Sequence, residues 1–147
     1  MNFQDCIKFA NDTRTCYLAT AEGDQPRVRA MGLCFADETG IYFNTESVKA
    51  LNKQLKKNKK VEAIFHHTAP GPDAGKVMRV SGEIEFVSDR AIRAKIFKDR
   101  PFLKGLGITK PEDPQLVVFR IAKGEAYFWT MADNMKEAKI PRIKFGK

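Results

Sequence analysis

The segment Phe43-Asn44-Thr45-Glu46-Ser47-Val48-Lys49 closes a run with strand character and opens one with helical character. The first turn of a helix leaves backbone N–H groups unpaired and carries the positive end of the helix dipole, a combination suited to a phosphate. Thr45 and Ser47 can each donate a hydrogen bond there, and Lys49 a charge-assisted one. An ion pair at about 4 Å is worth about 4 kcal/mol at an effective dielectric near 20, whereas the dipole supplies about 0.3–1 kcal/mol at an exposed helix end. Cationic side chains would therefore carry most of the affinity, and Glu46 is expected to turn away from the anion. An ordinary N-cap leading into a solvated helix is the plain alternative for the same residues.

Two other stretches have the makings of a ligand surface. Pro26–Phe35 reads as a strand with Val28, Ala30, Gly32 and Cys34 on one side and Arg27, Arg29, Met31, Leu33 and Phe35 on the other. A face of small side chains either admits a flat ligand or packs tightly inside a narrow barrel, and Gly32 in a strand interior favours close approach. Trp129, the single tryptophan, shares a strand face with Tyr127 and Met131 while Phe128 and Thr130 lie opposite. An indole in that place can cover a planar cofactor or fill a core or a subunit contact.

Other chemistry is excluded by spacing. His66 and His67 are adjacent, so on a strand they point to opposite faces, and no metal site is expected. Gly105-Leu106-Gly107 lacks the third glycine and the preceding strand of a dinucleotide fingerprint. Neither an H-E-x-x-H nor a G-x-S-x-G motif occurs, and no residue is assigned a catalytic role.

The elements that must position these residues follow from periodicity and turn chemistry. An amphipathic helix is predicted from Asn2 to about Asn11, with Phe3, Cys6, Ile7 and Ala10 on one face. Strands are predicted at Thr15–Ala21 and Pro26–Phe35, joined by the turn Glu22-Gly23-Asp24-Gln25, and then at Ile41–Thr45. A helix from Ser47 to Asn58 carries an apolar stripe of Val48, Leu51 and Leu55. Val61–His67 and Lys76–Val87 read as strands around a Pro/Gly loop, and Ser88 or Asp89 can cap a helix running to Asp99. Short helical turns are expected in Pro101–Pro114. Two strands, Gln115–Ala122 and Glu125–Met131, are then expected to pair through Lys123-Gly124, ahead of a basic tail at residues 132–147. Six or more mostly antiparallel strands with a few flanking helices predict a mainly β (α+β) fold, a small split β-barrel; a mixed α+β sandwich is the alternative.

The 147 residues suit one domain, and 43% apolar with 30% charged residues is a globular balance. No apolar run reaches the ~18 residues of a membrane span, and the amino terminus lacks secretory character, so a soluble, cytoplasmic protein is expected. Cys6, Cys16 and Cys34 fit buried thiols in a reducing compartment. The net charge of +8 favours an anionic partner. Lys49, Lys53, Lys56, Lys57, Lys59 and Lys60 make one helix and its exit strongly basic, which is a solvated face or, alternatively, the surface of a nucleic-acid-binding β-barrel. Nucleic-acid stacking needs exposed aromatics among the cations, and the aromatics here fall at positions that read as buried, so nucleic acid is not the expected partner.

Taken in order, Cys16-Tyr17-Leu18-Ala19-Thr20, Gly23 to Gly32, Tyr42-Phe43-Asn44-Thr45, Ser47-x-Lys49, Arg79-Val80-Ser81-Gly82 and Trp129 to Met135 resemble the pyridoxamine 5′-phosphate oxidase-like family of FMN-binding split barrels. The likeness runs over about residues 1–131 and is strongest to the short stand-alone bacterial members, the nitroimidazole-resistance-like group. The resemblance implies one FMN-binding domain over residues 1–147 and a homodimer with FMN at the interface. Arg27 and Arg29 would line the flavin and help neutralise its phosphate, and Ala30 and Met31 would meet the ring edge. Asn44, Thr45, Ser47 and Lys49 match the phosphate-binding junction, Asn52 lies one turn further on, and Trp129 would approach the flavin. The implied activity is an FMN-dependent oxidoreductase passing electrons between a nicotinamide (NADH or NADPH) or other reductant and a small acceptor. A flavin-binding sensor or electron carrier without turnover is the alternative. The carboxy-terminal substrate motif of the vitamin-forming oxidases is missing: the chain ends Pro141-Arg142-Ile143-Lys144-Phe145-Gly146-Lys147. Oxidation of pyridoxamine phosphate is therefore not expected.

Overall fold

A computed structural model describes residues Met1–Lys147. Helix α1 (Phe3–Thr13) begins at Asn2, whose side chain accepts from the backbone N–H groups of Gln4 and Asp5 while Asp5 returns a bond to Asn2 N. This reciprocal cap fixes the start of the helix, and Cys6 and Ala10 are its buried face. Strands β1 (Thr15–Glu22) and β2 (Gln25–Gly32) form a hairpin in which Glu22 faces Gln25, with Gly23 at φ 62° in the turn. The remaining elements are β3 (Phe35–Asp37), β4 (Gly40–Glu46), α2 (Ala50–Lys57), β5 (Lys60–His66), β6 (Val77–Phe86), α3 (Arg90–Asp99), β7 (Leu116–Trp129) and β8 (Ile143–Phe145). Short 3-10 turns cover Pro101–Leu106 and Met131–Lys139.

All strands belong to one antiparallel sheet in the order β2-β1-β5-β6-β7-β4-β3, with β8 added on β7. The sheet curls around a core that includes Leu18, Phe43, Phe65, Val80, Ile84 and Phe119. A second cluster, built on Tyr42, Ile96, Leu103, Leu116 and Val118, joins the other face of β4 to α3. The end of α3 is tied to the link between β2 and β3: Arg100 Nη2 donates to Gly32 O (2.9 Å) and Leu33 O (2.7 Å). The expected mainly β split barrel is thus the observed fold. No helix is long and apolar enough to cross a membrane.

Four expectations change. The run Pro26–Phe35 is not one strand: β2 ends at Gly32, and Leu33 N turns to Arg14 O (2.7 Å) before β3 begins. The helix expected from Ser47 starts at Ala50, because Ser47 N is held by Gln115 O (2.9 Å), and Val48 is exposed rather than part of the stripe. The expected hairpin at Lys123-Gly124 is instead the middle of β7, a single 14-residue strand. Gly82 and Gly124 face one another across β6 and β7, so closely that a Cβ on Gly124 would lie 2.0 Å from Ser81 O; with the irregularity after Glu83, this bends the pair without a turn. Lastly, residues 132–147 are no free tail: β8 pairs with β7, and Phe145 is buried, stacked on Phe3 at 4.4 Å.

Candidate functional site

Helix α2 roofs the end of the barrel that β1, β2 and β4 surround. Leu51 and Leu55 bury its apolar face, and beside them two polar side chains, Asn52 (3% exposed) and Gln54 (5%), are buried as well. Gln54 explains its own burial. Its Oε1 accepts from Arg29 Nη2 (2.6 Å) and Thr20 Oγ1 (2.6 Å), and its Nε2 donates to Glu22 Oε2 (3.2 Å). Arg29 Nη1 also donates to Thr20 Oγ1 (2.8 Å) and Leu18 O (3.2 Å), and partial burial lowers the Arg29 pKa from its ordinary value. Arg27 Nη2 reaches Glu22 Oε1 (3.0 Å) at the surface. One cationic network therefore ties β2 to β1 and to α2.

The junction between β4 and α2 is polar and incompletely satisfied. Lys49 caps α2 with no side-chain hydrogen bond; Asn52 N donates to Lys49 O (3.1 Å), and the N–H groups of Ala50 and Leu51 have no side-chain cap. Thr45 Oγ1 is buried and has no hydrogen-bond partner. Asn52 Nδ2 donates to Ser47 O (3.0 Å), but Asn52 Oδ1 is buried and unpartnered. Buried polar atoms are almost always paired, so the orphaned Thr45 hydroxyl beside an uncapped helix end marks a place where a polar ligand completes the structure, whereas the Asn52 carbonyl, an acceptor, borders the cleft on the other side of α2 and does not suit an anion. Glu46 departs from expectation: it does not turn away, and its Oε1 lies 3.8 Å from Lys49 Nζ.

The other site residues sort by face. Arg27, Arg29 and Met31 pair with Thr20, Leu18 and Cys16, so they lie on the inner face of β2. Val28 and Ala30 lie on the outer face and are exposed, Val28 at 70%. The small-residue face is therefore open surface, not the packed lining of a narrow barrel. Ala30 and Met31 point opposite ways and would share a ligand only through the backbone of β2, whose far edge is free of any strand partner. Asn44 and Thr45 are likewise opposed: Thr45 faces inward, while Asn44 Oδ1 accepts from Cys34 Sγ (3.4 Å) on the other side. Trp129 stands at the far end of β7 from Leu116, which pairs with Glu46, and lines a shallow depression with Ile64, Val77, Arg79 and Tyr127. Within one chain it does not meet the junction. Burial pushes the Cys34 thiol up to about 11 and Cys16 to about 12, so neither is a poised nucleophile. Sequence reasoning missed Thr20, Gln54 and Arg100. Only Gln54 left a signal, a polar residue at helical spacing on the buried stripe.

A curled antiparallel sheet, split between its end strands and roofed by a short helix with an unfilled polar N-terminus, places the chain in the split-barrel class. A sequence profile of the pyridoxamine 5′-phosphate oxidase family matches residues 4–130, and the chain belongs to that family. Among solved structures, it is similar to a NimC/NimA family protein from Clostridium acetobutylicum, with 26% identity, a TM-score of 0.76, and 97% of this chain and 92% of that one covered. It also resembles a protein from Nostoc punctiforme described as pyridoxamine 5′-phosphate oxidase-related and FMN-binding (13% identity, TM-score 0.68, 92% and 88% covered). A third relative, from Mesorhizobium loti, is described as FAD-binding (19% identity, TM-score 0.67, 87% and 94% covered). A comparison with curated proteins finds no match.

Proposed function

We propose that the protein is an FMN-binding oxidoreductase in which residues 1–147 form one cofactor domain. The phosphate of FMN sits at the β4–α2 junction and the ring runs along the free edge of β2. The observation that carries this reading is the unfilled polar end of α2, where an uncapped helix start adjoins the unpartnered Thr45 Oγ1. Its donor set fits a phosphate: hydroxyls of Thr45 and Ser47, backbone N–H groups of the first turn, and the cations Lys49 and Arg29. The family membership and the flavins named for the Nostoc and Mesorhizobium relatives support the same choice.

Bound flavin would supply two-electron chemistry, taking a hydride from NADH, NADPH or another reductant and returning electrons to a small acceptor. The chain's own residues bind and orient. Arg29 is pre-set by Thr20 and Gln54, so little side-chain entropy is lost when it meets an anion. Lys49 adds charge, and the β2 backbone can read the ring edge at Ala30 and Met31. A homodimer accounts for the exposed outer face of Val28 (70%) and Tyr17 (48%), and brings the partner subunit's Trp129 toward the flavin. Three free thiols fit a cytoplasmic location.

The test is a visible spectrum of purified protein saturated with FMN, followed by anaerobic NADPH and NADH. Bound-flavin absorbance that bleaches with either nucleotide and returns with an added quinone or nitroaromatic acceptor is expected. Absence of FMN binding would refute the reading. Binding without reduction would leave a sensor or carrier.

A further inference from the structure

On the side of α2 away from β2 lies a cleft of about 450 Å³, bounded by α2, the end of β6, the start of α3 and the 111–114 loop. Its volume falls in the range of small-molecule sites, which pair an apolar wall with a few convergent polar groups. Phe86, Val87, Leu116 and Val117 supply the wall. Lys56, Arg90 and Arg93 bring three cations, against one lining carboxylate, Glu112.

No carboxylate forms an ion pair with these cations within the cleft. Arg27, Arg79 and Arg120 each find a carboxylate, at Glu22, Glu62 and Glu85. Lys56 and Arg90 make no ion pair, and Arg93 uses Nε and Nη2 on two uncharged acceptors, Pro111 O (3.0 Å) and Asp113 O (3.0 Å). Those bonds hold the Arg93 guanidinium still and leave its Nη1 donors for a ligand. The cleft also contains Asn52, 97% buried by its 3% exposure, whose Nδ2 is spent on Ser47 O and whose Oδ1 has no partner. A fixed acceptor in an otherwise cationic cleft calls for a ligand with a donor as well as a negative charge.

We propose that this cleft is a second binding site, for a small organic anion joining a carboxylate or phosphate to a flat apolar body that bears an N–H or O–H donor. The anionic group meets Lys56, Arg90 and Arg93, the flat body lies on Phe86 and Val87, and the donor reaches Asn52 Oδ1. The site lies across α2 from the Arg29 network and stands independently of the flavin reading.

The experiment is a ¹H–¹⁵N NMR titration of the full chain, with and without saturating FMN, using four probes. 4-Aminobenzoate and 4-aminophenyl phosphate carry charge and donor, benzoate lacks the donor, and 4-aminobenzamide lacks the charge. Saturable shifts confined to amides around residues 52–56, 86–93 and 111–117 are expected with one or both of the first two. The better of the two shows which headgroup is preferred. Benzoate and 4-aminobenzamide should each bind about tenfold more weakly. Both Lys56 and Arg90 are exposed and unpaired, so K56Q/R90Q should fold normally and weaken the anions about tenfold while leaving 4-aminobenzamide unchanged. No saturable shift in these segments, equal binding of the neutral probe, or full anion affinity in K56Q/R90Q would overturn the proposal. None of these results touches flavin binding, which is read separately from its absorbance.

Discussion

The pairing of Lys49 with Glu46 makes opposite demands on two neighbouring side chains. Their charged atoms are 3.8 Å apart, Lys49 largely in water and Glu46 only 18% exposed. If the FMN phosphate sits beside them, Lys49 attracts it and Glu46 repels it. A unit interaction at about 4 Å is worth about 1 kcal/mol in bulk water and about 4 kcal/mol at an effective dielectric of 20, and the exposure of Lys49 puts it toward the lower figure. K49A should therefore weaken FMN by about 1–2 kcal/mol, or about 5- to 30-fold, because it removes the attraction and leaves the carboxylate unopposed. E46Q should do the reverse and tighten FMN several-fold. The double variant should fall between the two, with each effect shrinking as salt is raised. The assay is quenching of FMN fluorescence on titration with flavin-free protein at two ionic strengths. An E46Q variant that weakens FMN, or a K49A variant with unchanged affinity, would refute a phosphate at this junction.

Other consequences concern the frame. G124A should be among the most destructive single changes: its Cβ would meet backbone at 2.0 Å and the φ of 159° suits glycine, so a loss of about 3 kcal/mol or more in urea unfolding is expected, whereas G105A, with open space around it, should be close to neutral. F145A should cost about 3 kcal/mol by removing a buried ring stacked on Phe3, a loss that a free tail would not show. The three buried thiols have folded pKa values raised to about 11 (Cys6), 12 (Cys16) and 11 (Cys34) from 9.0. The fold therefore favours their protonated form: that contribution is fully present below about pH 9 and is lost as pH rises through 11–12. Native protein at pH 8 should leave all three unreactive toward a disulfide reagent, and urea should release all three.

Much of this architecture is legible in the sequence, where local chemistry and tertiary packing agree. The Gly23 turn and the Asp89 cap each set an element end through bonds spanning only a few residues. Reading failed where a distant contact overrode local preference. Lys123-Gly124 has the composition of a turn, yet the glycine serves close approach to Gly82 on another strand. Ser47 could open a helix, but Gln115 O holds its N–H on β7. Residues 132–147 read as a basic tail in sequence because Ile143 and Phe145 gain their worth only against β7 and Phe3. The strand-to-helix turn that carries Thr45, Ser47 and Lys49 is legible from residue type and order. The lock on Arg29 by Thr20 and Gln54 is not, since it joins residues far apart in the chain, and neither is the Glu46 contact, which depends on one rotamer.

Riboflavin and FMN share a ring and differ in the phosphate, so their relative affinity isolates the junction. Titrating both into flavin-free protein at low salt is the most direct test of a phosphate held by the β4–α2 turn. FMN should bind at least about a hundredfold more tightly, and that preference should fall toward unity in a K49A/R29Q variant that still unfolds cooperatively. Equal affinity of the intact protein for the two flavins, or a preference for FMN that survives in the double variant, would contradict it.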